Sequence, residues 1–104
     1  MELTGNENHT ISLSAASQLT ANFRQTASPD TILAGCFGKT AILAILNQPQ
    51  AVGLRIYNAK TNQGQATFVL VAVNAAGDDL DNGEIAEFSH GCPPLCGKNS
   101  PLNS

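Results

Sequence analysis

Val52-Gly53-Leu54-Arg55-Ile56-Tyr57, a polar turn that ends in Gly64, and Ala66-Thr67-Phe68-Val69-Leu70-Val71-Ala72-Val73 together decide the fold. In the first segment Val52, Leu54 and Ile56 share one face and Gly53, Arg55 and Tyr57 the other, the two-residue period of a half-buried strand. In the second, Thr67, Val69, Val71 and Val73 alternate with Ala66, Phe68, Leu70 and Ala72. Both of its faces are apolar, which predicts a strand covered on both sides. The connection from Asn58 to Gly64 is rich in Asn, Lys, Thr and Gln and closes on a glycine able to take positive φ. That composition suits a longer hairpin loop better than a tight two-residue turn.

Working outward toward the N-terminus, residues 1–10 carry little hydrophobicity and read as a flexible lead-in. Ser12 stands where an N-cap belongs, with Ile11 before it and Ala16 placed as its staple partner. Ala16, Leu19, Phe23 and Ala27 then recur at helical spacing, predicting a helix from about Leu13 to Ala27 with one apolar stripe. Ser28-Pro29-Asp30 can end one helix or begin another. The β-branched, apolar run Thr31 to Phe37 is read as extended. Gly38 breaks that run, and Lys39 to Gln48 places Ala41, Ile42, Ile45 and Leu46 on one side before Pro49 stops it. This is a second helix, predicted to be deeply buried. Beyond the hairpin, Asn74 to Gly83 is an acidic turn, Glu84 to Phe88 a short third strand, and Ser89 onward a coil tail without period.

Two helices before three strands predict a single α+β domain with two layers, the N-terminal helices packed on a small, mainly antiparallel sheet centred on the hairpin. The doubly apolar strand then needs a second cover. A homodimer through the open sheet face, or the tail folding back, would supply it.

The 104 residues suffice for one domain with its own core, and only 12% of them are charged, about half the usual share. The five cations, Arg24, Lys39, Arg55, Lys60 and Lys98, are scattered in a chain of net charge −3, so a nucleic-acid footprint is absent. No basic region followed by an apolar run opens the chain, and no apolar segment approaches the roughly 20 residues that span a bilayer. The expected location is cytoplasmic. There the glycosylation triplet Asn8-His9-Thr10 has no meaning, and three cysteines point to free thiols, metal ligation or redox use.

Four constellations invite chemistry. Gly38-Lys39-Thr40 opens a predicted helix as a phosphate loop would, but Leu33 occupies the place of that loop's first glycine. Asp78, Asp79 and Asp81 resemble the start of a calcium loop, yet Glu84 holds the position of its turn glycine. His90, Cys92 and Cys96 put three soft or borderline ligands within seven residues, a zinc set that needs a fourth member, Cys36 or His9. The same two thiols suit a redox pair, or simple packing in a tail stiffened by Pro93-Pro94 in polyproline geometry. Arg55 and Tyr57 share a strand face, where, with Glu84 or Glu87 nearby, they form either a ligand-carboxylate site or a cross-strand ion pair.

With Phe37-Gly38-Lys39, Leu46-Asn47-Gln48-Pro49, Val52 to Tyr57 and Cys92-Pro93-Pro94-Leu95-Cys96 in view, the chain resembles a family of small uncharacterised bacterial proteins over about residues 11–103. The resemblance implies a bacterial cytoplasmic protein and no particular mechanism. A fainter resemblance is to the A-type iron–sulfur carriers, through the Ile11-Ser12-Leu13-Ser14 helix start, the Gly53-Leu54-Arg55 strand and a terminal cysteine pair. The chain departs from those carriers by lacking a cysteine soon after Gly-Leu-Arg and by separating its tail cysteines by three residues instead of one. The resulting expectation is a binding or interaction domain with a protein or small-molecule partner. Its rival is a zinc or thiol-redox protein built on His90, Cys92 and Cys96.

Overall fold

A computed structural model describes residues 2–87 and 90–103. Ser12 is extended, and its hydroxyl oxygen accepts the Ala15 amide at 3.0 Å, capping α1 (Leu13–Gln25). Such a cap contributes about 1 kcal/mol. The helix closes at Thr26, whose amide and hydroxyl both turn back to the Phe23 carbonyl. A short strand β1 (Ala34–Cys36) lies within the segment read as extended, and Gly38 then opens α2 (Lys39–Leu46). The hairpin follows as β2 (Gly53–Lys60) and β3 (Ala66–Val73), with β4 (Ile85–Ala86) and β5 (His90–Cys92) completing the order.

The chain forms a small α+β fold with two antiparallel sheets. One has the order β2-β3-β4, its hairpin pairing Gly53 with Val73 through to Lys60 with Ala66. Gly64 takes φ +84° in the connecting loop, the positive value its position demands. The β4 pairing places Leu70 opposite Ala86 and Val71 opposite Ile85. The third strand read over Glu84 to Phe88 is thus realised at two residues, and Phe88 lies outside the described residues. The other sheet joins β1 to β5.

The core lies between α2 and one face of the larger sheet. Ile45, Leu70 and Ala72 are buried there, with Phe37, Ile42, Leu54, Leu80 and Ala86 packed around them. Leu54 is paired with Ala72, which fixes that row as the core face. Gln48 ties the helix end to the sheet: its side-chain nitrogen donates to the Ile45 carbonyl at 2.8 Å and its oxygen accepts the Glu84 amide at 2.9 Å. A Cβ on Gly83 would stand 1.9 Å from that oxygen, so the bridge requires glycine there.

Four expectations are corrected. The segment after Ser89, read as coil, contains β5, a strand supplied with its hydrogen bonds by a partner more than fifty residues earlier and so invisible to local periodicity. Ser89 itself lies outside the described residues. The lead-in is tied down: the Leu3 amide donates to the Ala75 carbonyl at 2.8 Å, and the Glu7 carboxylate accepts the Thr4 and Gly5 amides. The second helix buries one side only, since Leu43 and Leu46 are exposed. Most consequentially, α2 supplies the main cover of the three-stranded sheet, and α1 carries no buried residue.

Replacing Ile45, which is 1% exposed, with alanine is expected to destabilise the fold by about 3 kcal/mol, the usual cost of a cavity in a packed core. Urea denaturation at constant m-value checks this, and a loss under about 1 kcal/mol would mean that α2 is not the core's cover.

Candidate functional site

The β1–β5 ladder pairs Ala34 with Cys92, Gly35 with Gly91 and Cys36 with His90. Directly opposed residues in an antiparallel pair share a face, and alternate residues along each strand return to it. Cys36, His90 and Cys92 therefore lie on one face, while the two glycines lie on the other. A Cβ on Gly91 would meet the Ile32 side chain at 3.4 Å, so the glycine face is where segment 31–33 closes on the ladder. The Leu33 amide extends the pairing by donating to the Cys92 carbonyl at 2.6 Å.

The face carrying the cysteines opens into a groove of about 500 Å³ between α1, the ladder and the C-terminal segment. Leu19 and Phe23 line one side, Leu95 and Leu102 the other, with Cys36 and His90 between them. The Arg24 guanidinium closes one end by donating to the Leu102 carbonyl at 2.7 Å. The Leu95 amide bonds to the Gly91 carbonyl and the Asn103 side chain to the Gly97 carbonyl, so the C-terminal segment is folded against itself. The Cys92-Pro93 and Pro93-Pro94 peptide bonds are cis, in place of the polyproline run read from the sequence.

Cys92 and Cys96 are joined in a disulfide, and Cys36 is a free, exposed thiol in the same groove. The bond unites two of the three residues read as zinc ligands, and a disulfide sulfur is not a thiolate donor. Among the described residues no three His, Cys, Asp or Glu side chains are grouped to hold a metal ion. The ladder does bring Cys36, one of the two residues considered as a fourth ligand, beside His90. The two cysteines differ in environment: Cys92 is 4% exposed whereas Cys96 is an exposed residue.

Arg55 and Tyr57 find a different partner from those expected. Arg55 Nη1 pairs with Asp79 Oδ1 at 2.6 Å and donates to the Gly77 carbonyl at 3.0 Å, while the Tyr57 hydroxyl donates to Asp79 Oδ2. Asp79 is bridged to Val73 on the edge of β3 away from β2, so both side chains from β2 reach across β3 to meet it. They lie over the face opposite α2, where Val71 and Val73 are 3% and 4% exposed. The place read for a ligand carboxylate is taken by the chain's own, and the doubly apolar strand receives its second cover from within. Of the expected partners, Glu87 instead accepts the buried Thr67 hydroxyl at 3.0 Å, and Glu84 offers its amide to Gln48.

Asp79 was legible in sequence only as part of a calcium-like turn. That turn is organised by Asn74, whose side-chain oxygen accepts the Ala76 and Asp78 amides, with Gly77 at φ +87°. The phosphate-loop reading also finds its plain alternative, with Gly38 as an extended residue ahead of α2 and no side-chain cap.

The hydrogen bond from Tyr57 acts most strongly on the Asp79 carboxyl and, with the bond and charge of the Arg55 guanidinium, outweighs desolvation to hold it below its ordinary value. The same bond to Asp79 pushes the Tyr57 phenol up, since loss of its proton would set two negative charges together. A carboxyl lowered by folding stabilises the protein above its unfolded pKa, about 3.9, and that contribution fades as pH falls through the folded value. A phenol raised by folding contributes below about pH 10 and loses that contribution as pH rises through its folded value. Asp79→Asn is therefore expected to flatten the acid limb of the urea-midpoint profile, and Tyr57→Phe the alkaline limb. Profiles superimposable on the parent's would contradict the triad. No family model matches this chain, and no curated protein or solved structure does.

Proposed function

We propose that the protein is a small interaction domain that self-associates, each copy laying the apolar stripe of α1 into the groove of the other. The observation that carries this reading is unburied surface. The chain exposes 7643 Å², whereas a compact monomer of 10.8 kDa exposes about 5,500 Å². Its radius of gyration is 15.3 Å against about 13 Å for a compact domain of this length. The difference in area, roughly 2,000 Å², is of the size that one subunit contributes to an extensive homodimer interface.

Part of this surface gathers at the groove. Leu19 and Phe23 on α1 are 61% and 55% exposed, and Leu95 faces them at 58%. An amphipathic helix is ordinarily held by burial of its apolar face, and here the two large residues of that face stay more than half exposed. A second α1 is an occupant of suitable chemistry, being apolar along one stripe and carrying Arg24 as its sole charged residue, so two copies meet with little like-charge repulsion. A two-fold axis makes each chain both guest and host. The interface then lies at the groove instead of the open sheet face, whose Val71 and Val73 the Arg55–Asp79–Tyr57 bridge already covers.

Light scattering on purified protein is expected to return twice the chain mass, and Phe23→Asp the single-chain mass with its far-ultraviolet helical signal reduced but its sheet retained. A parent protein of single-chain mass at its highest soluble concentration would overturn the reading.

A further inference from the structure

The groove holds a second property, which rests on the proposed self-association leaving Cys96 on the groove wall open. We infer that Cys92–Cys96 is an exchangeable disulfide that oxidises dithiols, with Cys96 as the sulfur that is attacked. A thiolate approaches a disulfide along the sulfur–sulfur axis, from the side away from the leaving sulfur. Cys96 is an exposed residue of the groove wall and is the more open of the two to attack, whereas Cys92 is 4% exposed within β5. The bond closes a loop of only a few residues, so breaking it releases little chain. The β1–β5 pairing holds Cys92, and the bond from the Leu95 amide to the Gly91 carbonyl keeps the neighbouring Cys96 close to it; neither depends on the disulfide.

The exchange balances without a further oxidant. One thiolate of a dithiol attacks Cys96 Sγ, forming a mixed disulfide and releasing Cys92 as a thiolate that takes up a proton. The dithiol's second thiolate then attacks its own sulfur in the mixed disulfide, closing its disulfide and releasing Cys96, which is protonated in turn. The dithiol gives up two electrons and two protons, and the cysteine pair receives both. The substrate class is a dithiol small enough, or exposed enough, to reach the groove wall. Cys36 lies on the same face as Cys92, but this sequence of steps does not require it.

The test begins with the unmodified chain. Dithiothreitol is added to native protein, and the thiols are pulse-labelled with iodoacetamide and located by peptide mass. Opening of the bond without loss of the circular-dichroism signal is expected, with Cys96 labelled at least ~10-fold faster than Cys92. The second experiment uses Cys36→Ser/Cys92→Ser and Cys36→Ser/Cys96→Ser with oxidised glutathione. The first variant is expected to form a mixed disulfide at Cys96, and the second to stay unmodified until denatured. A bond that resists dithiothreitol until the protein unfolds, or equal labelling of both cysteines, would overturn the proposal. Repeating the labelling on Phe23→Asp separates the two readings: resistance there as well rules out exchange, while opening confined to that variant means that the dimer covers Cys96 and that the working protein does not exchange.

Discussion

Three cross-strand pairs, joining Ala34–Cys36 to His90–Cys92, hold together what would otherwise be an N-terminal helix and a C-terminal segment far apart in the chain. A two-stranded ladder of this length is marginal by itself in water. It persists because one face is stripped to glycine, letting Ile32 close on Gly91, and because the Leu33 amide continues the pairing to the Cys92 carbonyl. The groove and the meeting of Cys36 with His90 follow from this ladder. So does the anchoring of Arg24 on Leu102, since α1 has no buried residue of its own to fix it elsewhere.

The larger sheet solves a separate problem with its own residues. A strand apolar on both sides requires two covers, and the chain provides α2 on one side and a charged bridge on the other. Arg55 is well suited to the second task, because it stands opposite Val71 in the hairpin register while its guanidinium remains at the edge with Asp79. An exposed ion pair contributes little as a charge interaction, so the bridge matters mainly for the apolar surface that it roofs. The hairpin half thereby buries Leu70, Val71, Ala72 and Val73 with its own residues, while Leu19, Phe23 and Leu95 at the groove stay more than half exposed.

This division explains which parts were legible in the sequence. The hairpin, its loop glycine, the Ser12 cap and both helices rest on local signals of period, capping and backbone freedom, and each appears where those signals put it. What was not legible depends on contacts distant in sequence. His90-Gly91-Cys92 has no apolar alternation and becomes a strand only because β1 lies beside it. Asp79 carries no mark that distinguishes it from Asp78 or Asp81 as the partner of Arg55, a choice made by its bridge to Val73. The apolar stripe on α1 was plain, but a stripe states only that something covers it. The cysteine cluster was found by composition, whereas its pairing, and the presence of Cys36 across from His90, required the fold.

The two halves together describe a self-sufficient hairpin domain that displays a thiol-bearing apolar groove built from the chain's ends. The ladder underlies both proposals, since the groove proposed for self-association and for disulfide exchange is the one that it makes. The most direct measurement is the set of nuclear Overhauser contacts between backbone protons of β1 and β5 in the native protein. Cross-strand contacts between Gly35 and Gly91, and between Cys36 and His90, are the predicted result. Their absence, with the β2–β3 contacts intact, would contradict the account.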